Sequence, residues 1–163
     1  MSEINVEEDN ENYTVRYWKY KVIIPKNLLY SRESHFWVKQ QGEIVEIGYT
    51  DPFQQLTGDV VAIFLPTEES TTEEMGEIES MKAAMEIISP VEGIYVEVNK
   101  ELEKDPYPVN QNPYSTWLFR IKPSNWEESQ KYLQSAADYL KEVLKIIQAQ
   151  EAKRRKSERC RHI

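Results

Sequence analysis

The chain has 163 residues, 40% of them apolar and 29% charged, which suffices for one sizeable core and contains no run of eighteen apolar residues that could cross a membrane. Its 20 basic and 28 acidic side chains leave a formal net charge of −8, a balance that repels nucleic acid and steers towards basic protein partners. A single cysteine, Cys160, excludes an intrachain disulfide and a thiolate metal site, and the acidic start, without the basic and apolar segments of a secretory signal, makes the cytoplasm the expected compartment.

Residues 1–12 are acidic and polar, which predicts disorder. From residue 13 the composition changes. Tyr13, Val15 and Tyr17 alternate with Thr14, Arg16 and Trp18, and Val22-Ile23-Ile24 follows, so residues 13–27 predict an extra strand-like extension ended by Pro25. Leu28-Leu29-Tyr30 resumes it, and His35-Phe36-Trp37-Val38-Lys39 predicts a second strand. After the turn at Gln40-Gln41-Gly42-Glu43, the period-two pattern of Val45, Ile47 and Tyr49 predicts a third.

Asp51-Pro52-Phe53-Gln54-Gln55-Leu56 predicts a short helix, capped by Thr50 or Asp51 with Pro52 in its first turn and broken at Thr57-Gly58-Asp59. Residues 60–65 form a buried-strand pattern, and the acidic segment 67–74 a surface loop. Gly76-Glu77-Ile78-Glu79 and Ile87-Ile88-Ser89 are predicted strands on either side of a turn that contains Lys82. Ile94, Val96 and Val98 mark another half-buried strand. Pro106, Pro108 and Pro113 forbid a central strand across 99–114, leaving short helices or an ordered loop.

Trp117-Leu118-Phe119-Arg120-Ile121 is the last predicted strand. Ser124 and Glu127 have capping-box spacing, and Trp126, Leu133, Leu140, Leu144 and Ile147 keep helical periodicity to about residue 156. The distal turns reach past a small core. They project, pack on the N-terminal segment, or meet a second copy, so monomer and weak dimer are both compatible. Residues 153–163 carry six basic side chains and one acid, Glu158, a basic tail suited to a helix C-terminus. Many short strands at regular turn spacing predict a mainly β sandwich or small barrel with flanking helices.

Lys82 is the most chemically distinctive group. It stands in Glu79-Ser80-Met81-Lys82-Ala83-Ala84-Met85-Glu86, where a tight turn would hold its amine in solvent on a rigid base. Small neighbours leave room for a modifying enzyme, and Glu77, Glu79 and Glu86 supply a charge signature for recognition. From the residues alone the position is equally consistent with an ordinary exposed lysine. Catalysis by the chain itself is disfavoured: its two histidines are His35 and the terminal His162, its cysteine is also terminal, and no glycine-rich phosphate loop occurs.

An ordered series of motifs resolves the ambiguity at Lys82. It runs through Leu29-Tyr30-Ser31-Arg32-Glu33-Ser34-His35-Phe36-Trp37-Val38, Ile47-Gly48-Tyr49-Thr50-Asp51, Gly58-Asp59-Val60-Val61, Glu79-Ser80-Met81-Lys82-Ala83, Ser89-Pro90-Val91-Glu92-Gly93 and Val96-Glu97-Val98-Asn99, and on through Val109-Asn110, Pro113-Tyr114 and Trp117-Leu118. Across about 28–145 the chain resembles the H protein family of the glycine cleavage system, lipoyl carriers of the biotinyl/lipoyl domain group. The resemblance implies a lipoyl-domain-like β-sandwich, or barrel-sandwich hybrid, over 28–125. Short flanking helices, a C-terminal helix over 126–156 packed on the domain, and a basic tail over 157–163 complete the expected plan. It further implies covalent lipoate on Lys82 and a carrier without turnover of its own.

The implied partners are a pyridoxal-phosphate-dependent glycine decarboxylase, an aminomethyltransferase, dihydrolipoyl dehydrogenase and a lipoate ligase or transferase, with neither nucleic acid nor membrane. Family members shelter the loaded arm in a cleft, and Glu33 and His35, in the acid–x–His pattern, are the candidates for lining it; a purely structural His35 is the other reading. Biotin is the weaker cofactor, since Met81 precedes Lys82 but Ala83 follows it. An unmodified interaction module is the reading from a different class.

Three departures stand out. Residues 1–27 lack a counterpart, Thr116 precedes Trp117 where the family usually has glycine, and the helix runs past the usual end. They suit a specialised relative, and the alternative to glycine cleavage is an H-like lipoate-binding carrier of sulfur species for a heterodisulfide reductase-like complex.

Overall fold

The computed structural model describes residues 3–161. The first two residues and the last two, His162 among them, lie outside that span. Strands β1 (Asn5–Glu8), β2 (Asn12–Tyr17) and β3 (Tyr20–Pro25) come first, followed by β4 (Leu29–Ser31), β5 (Phe36–Gln41) and β6 (Ile44–Tyr49). Helix α1 (Asp51–Thr57) leads to β7 (Val60–Phe64), β8 (Gly76–Ser80), β9 (Ala84–Ile87) and β10 (Gly93–Val98). Then come α2 (Glu101–Lys104), α3 (Tyr107–Gln111), a 3₁₀ turn (Pro113–Ser115), β11 (Phe119–Pro123), α4 (Trp126–Gln130), β12 (Leu133–Gln134) and α5 (Ala136–Arg161). The fold is thus mixed, with three antiparallel sheets and a long C-terminal helix, and no closed barrel forms among the described residues.

The central sheet has the order β10-β11-β6-β5-β4-β12, and β7-β8-β9 forms a smaller one. Loop backbone covers the outer edge of β10: Glu69 N donates to Tyr95 O at 2.7 Å, Tyr95 N to Ser70 O at 3.0 Å and Thr72 N to Gly93 O at 3.0 Å. One core lies among these two sheets and the short helices, with Val45, Ile47, Ile63, Ile78, Ile87 and Ile121 at its centre. Alternation along β5 sends Phe36 and Val38 into that core and Trp37 to the other face. There the Trp37 indole lies against Gly48, its partner on β6, so tightly that a Cβ on Gly48 would overlap the ring.

A second core occupies the Trp37 side. Val15, Tyr17, Val22 and Ile24 of β2–β3 pack with Tyr30 and with Ala136, Tyr139, Val143 and Ile147 of α5. The helical residues recur at three- and four-residue spacing, so one stripe of α5 meets the N-terminal sheet. This burial covers Val143 and Ile147, with Leu140 and Leu144 partly buried against the same core.

Several expectations are corrected. Residues 5–8 are not disordered, because β1 pairs along β2 from Asn5 opposite Arg16 to Glu8 opposite Tyr13. The run 13–24 is a hairpin instead of one strand, turning at Trp18 with a φ of 48°. The C-terminal helix does not start at residue 126. Asn125, not Ser124, caps α4 by accepting from Glu128 N at 3.1 Å, and Leu133–Gln134 then extends to pair with β4. Ser135 Oγ accepts from Asp138 N at 3.2 Å and starts α5 afresh. The segment from 157 is helical through Arg161. Thr116 sits in extended backbone and donates from Oγ1 to Asn112 O at 2.7 Å, tying off the 3₁₀ turn. No left-handed glycine geometry is needed there.

Candidate functional site

Lys82 stands at the tip of the β8–β9 hairpin, whose register runs from Gly76 opposite Ile87 to Glu79 opposite Ala84. The turn is pinned by one small side chain. Ser80 Oγ accepts from Lys82 N at 3.3 Å and Ala83 N at 3.2 Å, while Ser80 N donates to Ala83 O at 2.8 Å. An apolar side chain at 80 could not accept these bonds. Residues 81–84 are all exposed, Met81 at 72%.

A second loop supports the hairpin from beneath. Gly58 ends α1 at φ 78° and ψ −178°, a region essentially reserved for glycine. It turns the chain so that Asp59 O accepts from Met81 N at 2.9 Å. The Lys82 amine reaches back over the same loop and donates to Leu56 O at 3.4 Å. Asn110 anchors the start of β7 beside it, accepting from Val60 N at 2.8 Å and donating to Val60 O at 3.0 Å.

Leu56 also lines a cleft of about 460 Å³, within the range of small-molecule sites. Its floor is a stack of rings: Phe36 and Tyr49 at 4.8 Å, Tyr49 and Phe53 at 4.6 Å. Met85 and Ile88 line it from the hairpin, and Ile146 and Gln150 line it from α5. Glu33 and Glu86 stand at its rim. A mainly apolar trough beginning beside an exposed primary amine fits a flexible acyl chain attached to that amine, and among the described residues no cluster of histidine, cysteine and carboxylates suits a metal.

Glu33 and His35, both expected here, line this cleft. Both have positive φ, 69° and 59°, in a loop that turns around the Ser31 hydroxyl, which accepts from Phe36 N at 2.9 Å. The Glu33 amide donates to Glu142 Oε1 at 2.8 Å, so α5 orients the loop. His35 Nδ1 lies 2.8 Å from the Tyr139 hydroxyl, which lies 2.6 Å from Thr50 Oγ1. Burial pushes the His35 pKa below its usual value, with Glu142 opposing. The imidazole is therefore neutral at neutral pH.

Sequence reading missed Leu56, Met85, Ile88, Ile146 and Gln150. The i, i+4 run Glu142–Ile146–Gln150 was the available signal for the helical wall. Thr116, the departure from the family's usual glycine, is not among the residues that line the cleft.

An amine held out on a stiff two-stranded base, with an apolar trough behind it, defines the class of mobile-arm carrier proteins. Within that class the match is specific, since the model of the glycine cleavage H-protein family covers residues 28–146. The chain belongs to that family. It is 43% identical over 123 residues to the glycine cleavage system H protein of Carboxydothermus hydrogenoformans, covering 73% of this chain and 93% of that one. It is 41% identical over 125 residues to that of Staphylococcus carnosus, covering 74% and 97%. The crystal structure of a glycine cleavage system H protein from Mycobacterium marinum superposes with a TM-score of 0.62 at 29% identity, covering 73% of this chain and 98% of that one. Membership makes the chain a non-catalytic carrier whose cofactor is covalently attached lipoate. Residues 1–27 and the turns of α5 beyond 146 lie outside the matched span.

Proposed function

We propose that Lys82 is the attachment point for lipoate and that the arm it bears returns to the cleft behind the hairpin, carrying the aminomethyl group of glycine cleavage. The observation that carries this reading is the contact between the Lys82 amine and the Leu56 carbonyl, which puts the amine at the mouth of the cleft that Leu56 lines. Held on Lys82, lipoate would supply a dithiolane as a redox-active group carrier between a pyridoxal-phosphate-dependent glycine decarboxylase, an aminomethyltransferase and dihydrolipoyl dehydrogenase.

The chain's own residues do the rest. The Ser80 bonds and the Asp59 contact hold the attachment point still, so that reach comes from the lysine methylenes and not from backbone motion. Glu77, Glu79 and Glu86 give a ligase or transferase an acidic surface to recognise. The stacked rings of Phe36, Tyr49 and Phe53 exclude water from the cleft floor. Glu33 and Glu86 at the rim favour a cationic amine as cargo, and neutral His35 adds a polar wall without opposing charge. The same reading takes the central sheet and β7–β9 as the two halves of a barrel-sandwich hybrid, supported by the core they share.

The matched relatives bear the glycine cleavage name, which favours aminomethyl over sulfur species as cargo. Intact mass after expression with lipoate and a ligase tests the attachment: added lipoyl mass on the wild type and none on Lys82→Arg is expected, and no added mass, or mass persisting in the variant, overturns it. Incubation of the lipoylated chain with glycine and the decarboxylase then tests the cargo. An aminomethyl adduct supports it. Failure to load, with activity in a sulfur-oxidising complex, moves the assignment to the sulfur carrier.

A further inference from the structure

The segments outside the family span are built around the two walls of the cleft. On one side, β3 is stitched to α1: Asp51 Oδ2 accepts from Ile23 N at 2.8 Å, the Tyr114 hydroxyl donates to Ile23 O, and the same hydroxyl accepts from Asp51 N at 3.1 Å. Helix α1 supplies Phe53, Leu56 and Thr57 to the cleft. On the other side, β2 and β3 pack Val15, Tyr17, Val22 and Ile24 against Val143 and Ile147 of α5. One turn further on, Glu151 is buried beside Tyr17, whose hydroxyl pKa is pushed up to about 12, first by burial and then by Tyr20 and Glu151. The Arg154 guanidinium, paired with Glu151 at 2.6 Å, lies 5.0 Å from the Trp18 ring centre. The stripe of α5 next to this anchored one is Glu142–Ile146–Gln150. Glu142 holds the Glu33 amide, and Ile146 and Gln150 face the cleft.

We propose that the N-terminal sheet β1–β3 is a brace that fixes α1 and α5, the two helices that line the cleft, relative to each other, so that Ile146 and Gln150 form a wall against which the loaded arm of Lys82 seats. The occupant is the chain's own arm, because the Lys82 amine already meets Leu56 at the cleft mouth. Ile146 contributes apolar contact to the acyl chain, and Gln150 contributes a hydrogen-bonding amide near the polar end. A sheet held to only one of these helices would leave the cleft width free to vary; this one is hydrogen-bonded to α1 and packed on α5. The inference rests on the attachment of lipoate to Lys82.

The test uses the full chain as wild type, Ile146→Ala, Gln150→Ala, Asp51→Ala, Ile147→Val and Lys145→Ala. Intact mass first establishes lipoylation. Its absence on the wild type overturns the attachment reading and not the brace specifically. Each loaded protein is then isolated, and loss of cargo to water is followed as formaldehyde release: the C–S bond breaks, water supplies the oxygen of formaldehyde, ammonia leaves and the thiol regains its proton. The wall variants and the two brace variants are expected to lose cargo about fivefold faster than the wild type or more. The shift of the Met85 methyl resonance that accompanies loading is expected to shrink in them. Lys145→Ala, on the solvent side of α5, is expected to behave as wild type. Gln150 is exposed, so its variant keeps the test independent of folding. Wild-type lifetimes and Met85 shifts in folded Asp51→Ala and Ile147→Val proteins overturn the brace, and the same result in Ile146→Ala and Gln150→Ala overturns the wall.

Discussion

The Tyr139 hydroxyl lies 2.8 Å from Nδ1 of His35, a residue 104 positions earlier in the chain. It also lies 2.6 Å from Thr50 Oγ1, whose oxygen caps α1 by accepting from Phe53 N at 3.2 Å. One phenol therefore ties the C-terminal helix to the histidine loop and to the helix that supports the lysine hairpin. The ring itself stacks on Tyr30 at 4.5 Å in the second core.

Replacing Tyr139 by Phe removes this link while keeping the stack. The expected cost is about 1–3 kcal/mol, because a buried His35 nitrogen loses its partner along with the hydrogen bond to Thr50. Urea unfolding checks it: the midpoint falls with the slope unchanged, since the surface exposed on unfolding is the same. An unchanged midpoint would mean that water replaces the phenol.

Acid sensitivity follows from His35. Its folded pKa is depressed below the usual 6.5 by burial, so the unfolded chain binds the proton more readily. The stability contribution is full above about pH 6.5 and is lost as pH falls from there through the folded pKa. His35→Asn, which tolerates the positive φ, is expected to flatten this part of the stability–pH curve. Thermal melts of both proteins between neutral pH and pH 5 measure it, and parallel curves would remove His35 from the account.

Gly58→Ala should destabilise the chain by about 1–3 kcal/mol through backbone strain at a glycine-only conformation. The added Cβ meets Met81 Cβ at 3.4 Å, an ordinary contact, so the penalty comes from φ and not from collision. Denaturant unfolding reads the loss. Amide exchange across residues 80–83 should quicken as well, because Asp59, next to the strained residue, holds Met81 N. Unaltered exchange there would show that the loop does not support the hairpin.

Local pattern was enough for the strands that follow a period of two, the Thr50 cap of α1, and the lysine turn. Each is set by neighbours a few residues away: alternating burial at Val45, Ile47 and Tyr49, a hydroxyl three positions before Phe53, and a serine two before Lys82. The sequence also carried the motif series that makes the family plain, and it singled out Glu33 and His35, which line the cleft beside the lysine hairpin. Local pattern misjudged β1, since four exposed residues form a strand only because β2 offers them a paired edge. It misjudged the helix start for the same kind of reason. Leu133 and Gln134 fit a helical stripe but gain more by pairing with β4, and Ser135 then caps a new helix. Where the additions outside the family span pack is visible only in the folded chain. Val15, Val22 and Ile147 meet because hydrophobic burial joins segments more than a hundred residues apart, and the neighbouring helical residues Ile146 and Gln150 line the same cleft as Met85 of the lysine hairpin.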